Sequence, residues 1–262
     1  MSASIGSRIK PLHLLGIACI LLAWESVAGN VPGALPRLRA IWESLLLIAE
    51  TAELQRQLSI SLHRSLTGLT IGAALGFITG AAAGFCKPIY YLLKPLIGTL
   101  LSSPAVVVVM LAMVWFGVGS SMVIFITALF TVPIMYVSVV EGMGMVDADL
   151  LEMAAVYRIS KWNLWWGIYL PALATAVLTG FAFAAGTAFR KTIMAELLGS
   201  NDGIGYAMAM TRFNLDAARL FAWVAVCLLV AGVLEFVLVS PVAHYLERWR
   251  NIRSDNVGAI HE

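Results

Sequence analysis

Charge is what this chain has least of. Only 12% of its 262 residues are Asp, Glu, Lys or Arg, 60% are hydrophobic, and mean hydropathy is +0.88. That balance lies outside soluble globular usage. The near cancellation of 17 basic and 15 acidic residues leaves a net charge of +2, with no basic footprint for nucleic acid. Cysteine is nearly absent. Cys19, Cys86 and Cys227 are an odd, scattered set in or beside apolar segments, without metal-ligand spacing, and read as buried thiols. None of the five lysines lies in a GxxxxGK[ST] loop, so the chain has no such means of holding ATP phosphates. HExxH and GxSxG are missing, and His13, His63, His244 and His261 do not gather around a nucleophile. No catalytic set, metal site or cofactor site is legible.

What the chain has instead is a series of apolar runs near bilayer length. Every backbone group inside hydrocarbon must be paired internally, and runs without period-2 alternation exclude a barrel, so the fold class is an all-α polytopic membrane protein. Residues 12–29 form a first retained span, since no small-residue cleavage site follows. Arg8 and Lys10 place the tail 1–11 in the cytoplasm, and Trp24 falls near the outer face. NVPGALP at 30–36 is a loop. Residues 38 to about 59 carry Arg39, Glu43, Glu50, Glu53 and Arg56 among leucines, an amphipathic helix lying on the outer surface or packed against the spans.

A second span covers 62–85, with Gly68, Gly72, Gly76, Gly80 and Gly84 four residues apart. Such a stripe lets another helix approach closely, either within the bundle or at a sliding or dimer contact. Lys87, Pro88, Lys94 and Pro95 suggest a short basic cytoplasmic turn. A third span over 96–116 is interrupted at Ser102, Ser103 and Pro104, and GVGSS at 117–121 turns into a fourth span ending near Val140. Pro104 and Pro133 should each bend a helix or mark its broken end. After a charged loop at 141–170 comes a fifth span, 171–196, then an outer loop with SNDGIGY, a sixth span, 217–239, and a basic tail from 247. Six spans result, in one domain over 12–246, with both termini cytoplasmic.

The loop at 141–170 is the most informative stretch. Glu152 to Tyr157 reads as a short helix standing off the membrane. Ala154 and Ala155 permit close approach, and Glu152 near the helix start suits the helix dipole and can pair with a partner's arginine. Trp162, Trp165 and Trp166 suit the membrane interface. The segment EMAAVYRISKWNLWWGIYLP resembles the coupling loop of bacterial ATP-binding-cassette importer permeases: Glu-Ala-Ala, three residues, Gly, nine residues, Ile, one residue, Leu-Pro. Glu152, Met153, Ala154, Arg158, Ile168, Leu170 and Pro171 occupy that register. Met153 stands for Ala, and Arg158 for Gly. Since glycine alone turns the chain there at little cost, arginine implies either a turn displaced to about Ser160 or a contact of Arg158 with the ATPase.

Three further stretches are similar to the nitrate, sulfonate and taurine branch of these permeases: SLHRSLTGLTIGAALG at 61–76, MVWFGVG at 113–119 and AELLGSNDGIGYAM at 195–208. Ser103-Pro104 replaces the branch's Ile-Pro. The resemblance covers about residues 30–245 and implies a type I importer (MetI-like) permease fold in the bacterial inner membrane. It implies a second permease copy, two ATPase subunits that bind ATP and Mg, and a periplasmic or lipoprotein solute-binding protein. This chain would hold no cofactor and perform no hydrolysis. Arg64, Ser103, Arg190, Lys191 and Glu196 are candidates for the solute path; Arg190 with Lys191 suits an anionic or sulfonate-like solute, while a structural Arg/Lys–Glu arrangement or snorkelling is equally open. An ion-gradient transporter is the competing class and needs acids within spans, for which Glu25 and Glu235 are the candidates.

Overall fold

Apolar runs this long fold as helices, and the computed structural model has no strand among the described residues, which are 16, 19, 21–29 and 35–258 except 147. The tail 1–11 and much of the expected first span lie outside that set. Within it, residues 21–29 are helical, and Trp24 Nε1 donates to Pro36 O (3.1 Å) while the indole meets Phe221 edge-on.

Helix α1 (Leu38–Glu50) is amphipathic, with Ile48 buried and Trp42, Leu46 and Leu47 exposed. It stops sooner than the sequence suggests. Thr51 turns extended (ψ 146°) and its hydroxyl donates to the carbonyls of Leu47 and Ile48, closing the last turn. Residues 53–59 therefore open the next helix, α2 (Glu53–Phe85), where Glu53 pairs with Arg219.

Helices α2 and α5 (Ser120–Gly144) form the centre of the bundle, joined along the glycine stripe. A Cβ built on Gly68 would lie 2.6 Å from Thr127 Cβ, on Gly72 2.6 Å from Thr131 Cβ, on Gly76 2.7 Å from Met135 Cβ and on Gly80 2.9 Å from Val139 Cβ; Gly84 meets Met143 in the same way. Each is closer than carbon atoms can pack, so the two backbones sit where only glycine leaves room. This face is filled by α5 of the same chain.

Between them lies a broken pair, α3 (Lys87–Ser102) and α4 (Ala105–Phe116), bent by 105°. The expected turn over 87–95 is helical instead. Pro88 falls in the first turn, where its missing N–H is not needed, and Pro95 is accommodated inside. The break comes at Ser103 and Pro104, both extended, as the residue before a proline prefers. Residues 96–116 are thus not one straight span. Gly117 (φ 70°) and Gly119 (φ 141°) make the turn into α5, and Gly119 N donates to Gly199 O (3.1 Å). Pro133 does not end its helix: α5 continues through it, packed between α2 and the helix described next.

Two short helices, α6 (Ala148–Val156) and α7 (Lys161–Leu164), and a π-turn at Trp165–Tyr169 lead into α8 (Leu170–Gly199). Helix α9 (Ile204–Phe213) and α10 (Ala217–Gly258) complete the chain, so α10 runs past the span end expected at Val239 and past the start of the expected tail at 247. Trp223, Phe189, Ile193, Ile204 and Ile48 form a core that joins α10, α8, α9 and α1. Four described helices are long and apolar enough to cross a membrane (α2, α5, α8 and α10), or five if the bent pair counts as one crossing.

Candidate functional site

Helices α5 and α8 run side by side, and their two ends are built differently. At one end lies the 145–170 connection. Nine residues of α6 stand there with Ala154 buried (4% exposed) and Glu152, Met153, Ala155, Val156 and Tyr157 exposed. The helix closes with Ile159 N donating to Ala154 O (2.9 Å) and Arg158 N to Ala155 O (3.1 Å), the paired bonds of a Schellman turn. Arg158 itself takes the left-handed conformation (φ 50°) that such a turn demands. The turn is therefore not displaced to Ser160. Ser160 instead starts α7, its hydroxyl accepting from Asn163 N and its carbonyl from Leu164 N. A non-glycine residue held left-handed costs about 1 kcal/mol.

Beyond the turn, Trp162 and Trp166 are exposed and meet edge-on (5.6 Å), and Tyr169 packs on Phe85 at the end of α2 (5.0 Å). Leu170 is half-buried, and Pro171 occupies the first turn of α8. The large apolar residues that α6 and its turn expose are Leu150, Met153, Val156, Tyr157 and Ile159.

At the other end, a polar network ties four elements together. Arg64 of α2 is buried, and its guanidinium donates to Glu196 Oε1 (3.0 Å), Ser200 Oγ (2.9 Å), Asp202 O (2.9 Å), Ser120 Oγ (2.7 and 3.0 Å) and Asp202 Oδ1. All five of its N–H groups are thereby occupied. Glu196, 1% exposed, also accepts from Ser61 Oγ (2.7 Å) and Gly205 N (3.1 Å). Ser61 Oγ accepts from Ile204 N (2.9 Å), and Gln57 Oε1 from Gly203 N (2.6 Å). Three of the N–H groups that open α9, those of Gly203, Ile204 and Gly205, are thus received by side chains of α2 and α8. Gly203 (φ 97°) has no room for a Cβ beside the Glu196 carboxylate.

The structure divides the remaining solute-path candidates. Arg64 and Glu196 are brought together; Arg190 turns outward to Glu235 of α10 (2.7 Å); Lys191 places its ammonium 4.7 Å from the Phe130 ring of α5; and Ser103 donates to Thr99 O (2.6 Å) at the α3–α4 elbow. Of the two acids considered for an ion-driven carrier, Glu235 is thus paired, and Glu25 accepts from Leu38 N (3.1 Å) at the start of α1. Between α5 and α8 lies a cavity of about 480 Å³, lined by Ser138, Glu141, Thr175, Thr179, Gly180 and Phe183. Sequence reasoning missed Gln57, Ser61, Ser120, Ser200 and Asp202 as members of the network. Ser61, Ser200 and Asp202 lay inside the similar stretches, but nothing local says what they touch.

Comparison with known proteins agrees with this arrangement. Residues 72–251 match the family described as the inner membrane component of binding-protein-dependent transport systems. The "Putative aliphatic sulfonates transport permease protein SsuC" of Bacillus subtilis is 31% identical over 91% of this chain and 87% of its own length. The taurine transport system permease protein TauC of Escherichia coli is 26% identical over 87% of this chain and 86% of its own. Among solved structures, an amino acid ABC transporter superposes with a TM-score of 0.60 at 15% identity, covering 73% of this chain and 92% of that one. The MetNI methionine ABC transporter gives 0.58 at 13% identity, covering 70% of this chain and 93% of that one. With a match over more than half its length and a relative this similar end to end, the chain belongs to the inner membrane components of binding-protein-dependent transport systems, in the branch that holds the sulfonate and taurine permeases.

Proposed function

We propose that α6 and its Arg158 turn are the surface through which this ABC importer permease receives work from an ATPase, and that the α5–α8 bundle converts it into alternating access for a small anionic, sulfonate-like solute. The observation that carries this reading is the exposed apolar face Met153, Val156, Tyr157 and Ile159 beside the Glu152 carboxylate, on a helix held by a fixed turn between the two central spans. A partner groove would cover that face, and an arginine of the partner would meet Glu152.

In this reading the 145–170 end is cytoplasmic, both termini lie inside, and the chain sits in a bacterial inner membrane. Two copies dock on two ATPase subunits, which bind ATP and Mg and perform the hydrolysis, while a periplasmic or lipoprotein binding protein delivers solute to the outer face. The sulfonate and taurine named for the relatives support an anionic cargo. The pairing of Glu235 with Arg190, and of Glu25 with a backbone N–H, leaves neither carboxylate as a free mid-span proton carrier and disfavours the ion-gradient alternative.

The test is reconstitution with the ATPase and binding protein from the same genome. Glu152→Arg should abolish permease-dependent stimulation of ATP hydrolysis while the chain stays folded. Unchanged stimulation would remove Glu152 from the docking surface.

A further inference from the structure

Arg190 and Lys191 are neighbours in sequence, but a helix sets successive side chains about 100° apart, and their charges meet different fates. Arg190 is neutralised by Glu235. Lys191 rests on the Phe130 ring, and among the described residues no carboxylate pairs with it. Its depth is given by the helices. Lys191 lies about 12 Å below Gly199 along α8, and Phe130 about 15 Å below Ser120 along α5, at 1.5 Å per residue. The ammonium is therefore drawn down onto an aromatic face within the bundle. A cation at such a depth without a counter-charge is costly, and ionisable groups there face a path or a partner.

Two turns further along α8, Phe183 enters the α5–α8 cavity with Thr179 and Thr175, opposite Ser138 and Glu141. Thr187 lies between, one turn from each. Hydroxyls thus follow one another from Lys191 towards the coupling end, where Glu141 stands at the margin.

We propose that Lys191 is the anion-recognising contact of the solute path: its ammonium binds the oxyanion head of the solute, sulfonate or carboxylate. This rests on the importer reading above. The test uses the complete complex in proteoliposomes, with radiolabelled ethanesulfonate and propionate as probes and ethyl methyl sulfone as the neutral control. Lys191→Met should lower uptake of the preferred anion about tenfold or more, the loss of one charge-assisted contact, whereas Lys191→Arg keeps most of it. Which of the two anions is carried separates a sulfonate from a carboxylate cargo. The Met variant should unfold no earlier than wild type in detergent. Wild-type anion uptake by Lys191→Met, an early-unfolding Lys191→Met chain, or equal uptake of the sulfone by wild type would each overturn the proposal. Should the ATPase ignore the wild-type chain, the importer reading falls by itself. Lys191 is then judged by binding of the two anions to the chain in nanodiscs, which Lys191→Met must abolish.

Discussion

The two ends of the α5–α8 pair solve opposite problems. At the Arg64 end, the strong polar groups are joined to one another within the chain: guanidinium, two carboxylates, three serines, a glutamine and three opening N–H groups of α9. At the Arg158 end, backbone bonds fix a turn, while apolar side chains and the Glu152 carboxylate are exposed. The first end spends most of its polar groups on one another, around a buried Arg64–Glu196 pair. Incompleteness makes the second a surface that another protein can finish.

This contrast can be broken from either side. The largest effect is expected at Arg64. Arg64→Met strands a buried Glu196 and should cost about 3–5 kcal/mol, seen as a large fall in thermal unfolding temperature or loss of folded protein; adding Glu196→Met should recover part of it, because the charge left behind is then gone. Next comes Gly72→Val in the stripe, where the first added carbon already meets Thr131. Overpacking of this kind costs about 1–3 kcal/mol, and circular dichroism during heating would read it as a smaller drop with the helices retained. Arg158→Gly works in the other direction, relieving about 1 kcal/mol of left-handed strain and raising the unfolding temperature slightly. If ATPase stimulation falls even so, Arg158 touches the partner directly; if it holds, the arginine is only tolerated there. Smallest of all for stability is Glu152→Arg, which should leave the unfolding temperature unchanged within error and act on coupling alone.

Much of this was legible in the sequence because it is local. The spans follow from apolar length, the elbow from Ser103-Pro104, and the short helix before Arg158 from residues within one short window. Arg158 lay at the right place in that window, and only its backbone conformation had to be seen. The network was not legible, because Arg64 and Glu196 stand 132 residues apart and a pattern of local spacing carries no information about such pairings. Local rules also failed where packing outweighed them. Pro88 and Pro95 read as part of a turn, yet one opens a helix and the other lies inside it. The charges at Glu53 and Arg56 read as part of one amphipathic helix, on the surface or packed against the spans, whereas their segment opens a separate helix that carries Gln57 and Ser61 into the network.

The glycine stripe has a mechanical meaning for a machine that must open at alternate ends. Five notches every four residues on α2 receive the side chains of α5, so the two helices mesh like a rack. Displacement along such a rack is all or nothing, since the next notch is about 6 Å away at 1.5 Å per residue. A smooth glide of α2 past α5 would lift side chains out of every notch at once. Opening and closing must therefore carry α2 and α5 together as one beam, and the hinge must be sought where the chain is not geared: at Ser103-Pro104, or at the glycines of 117–119.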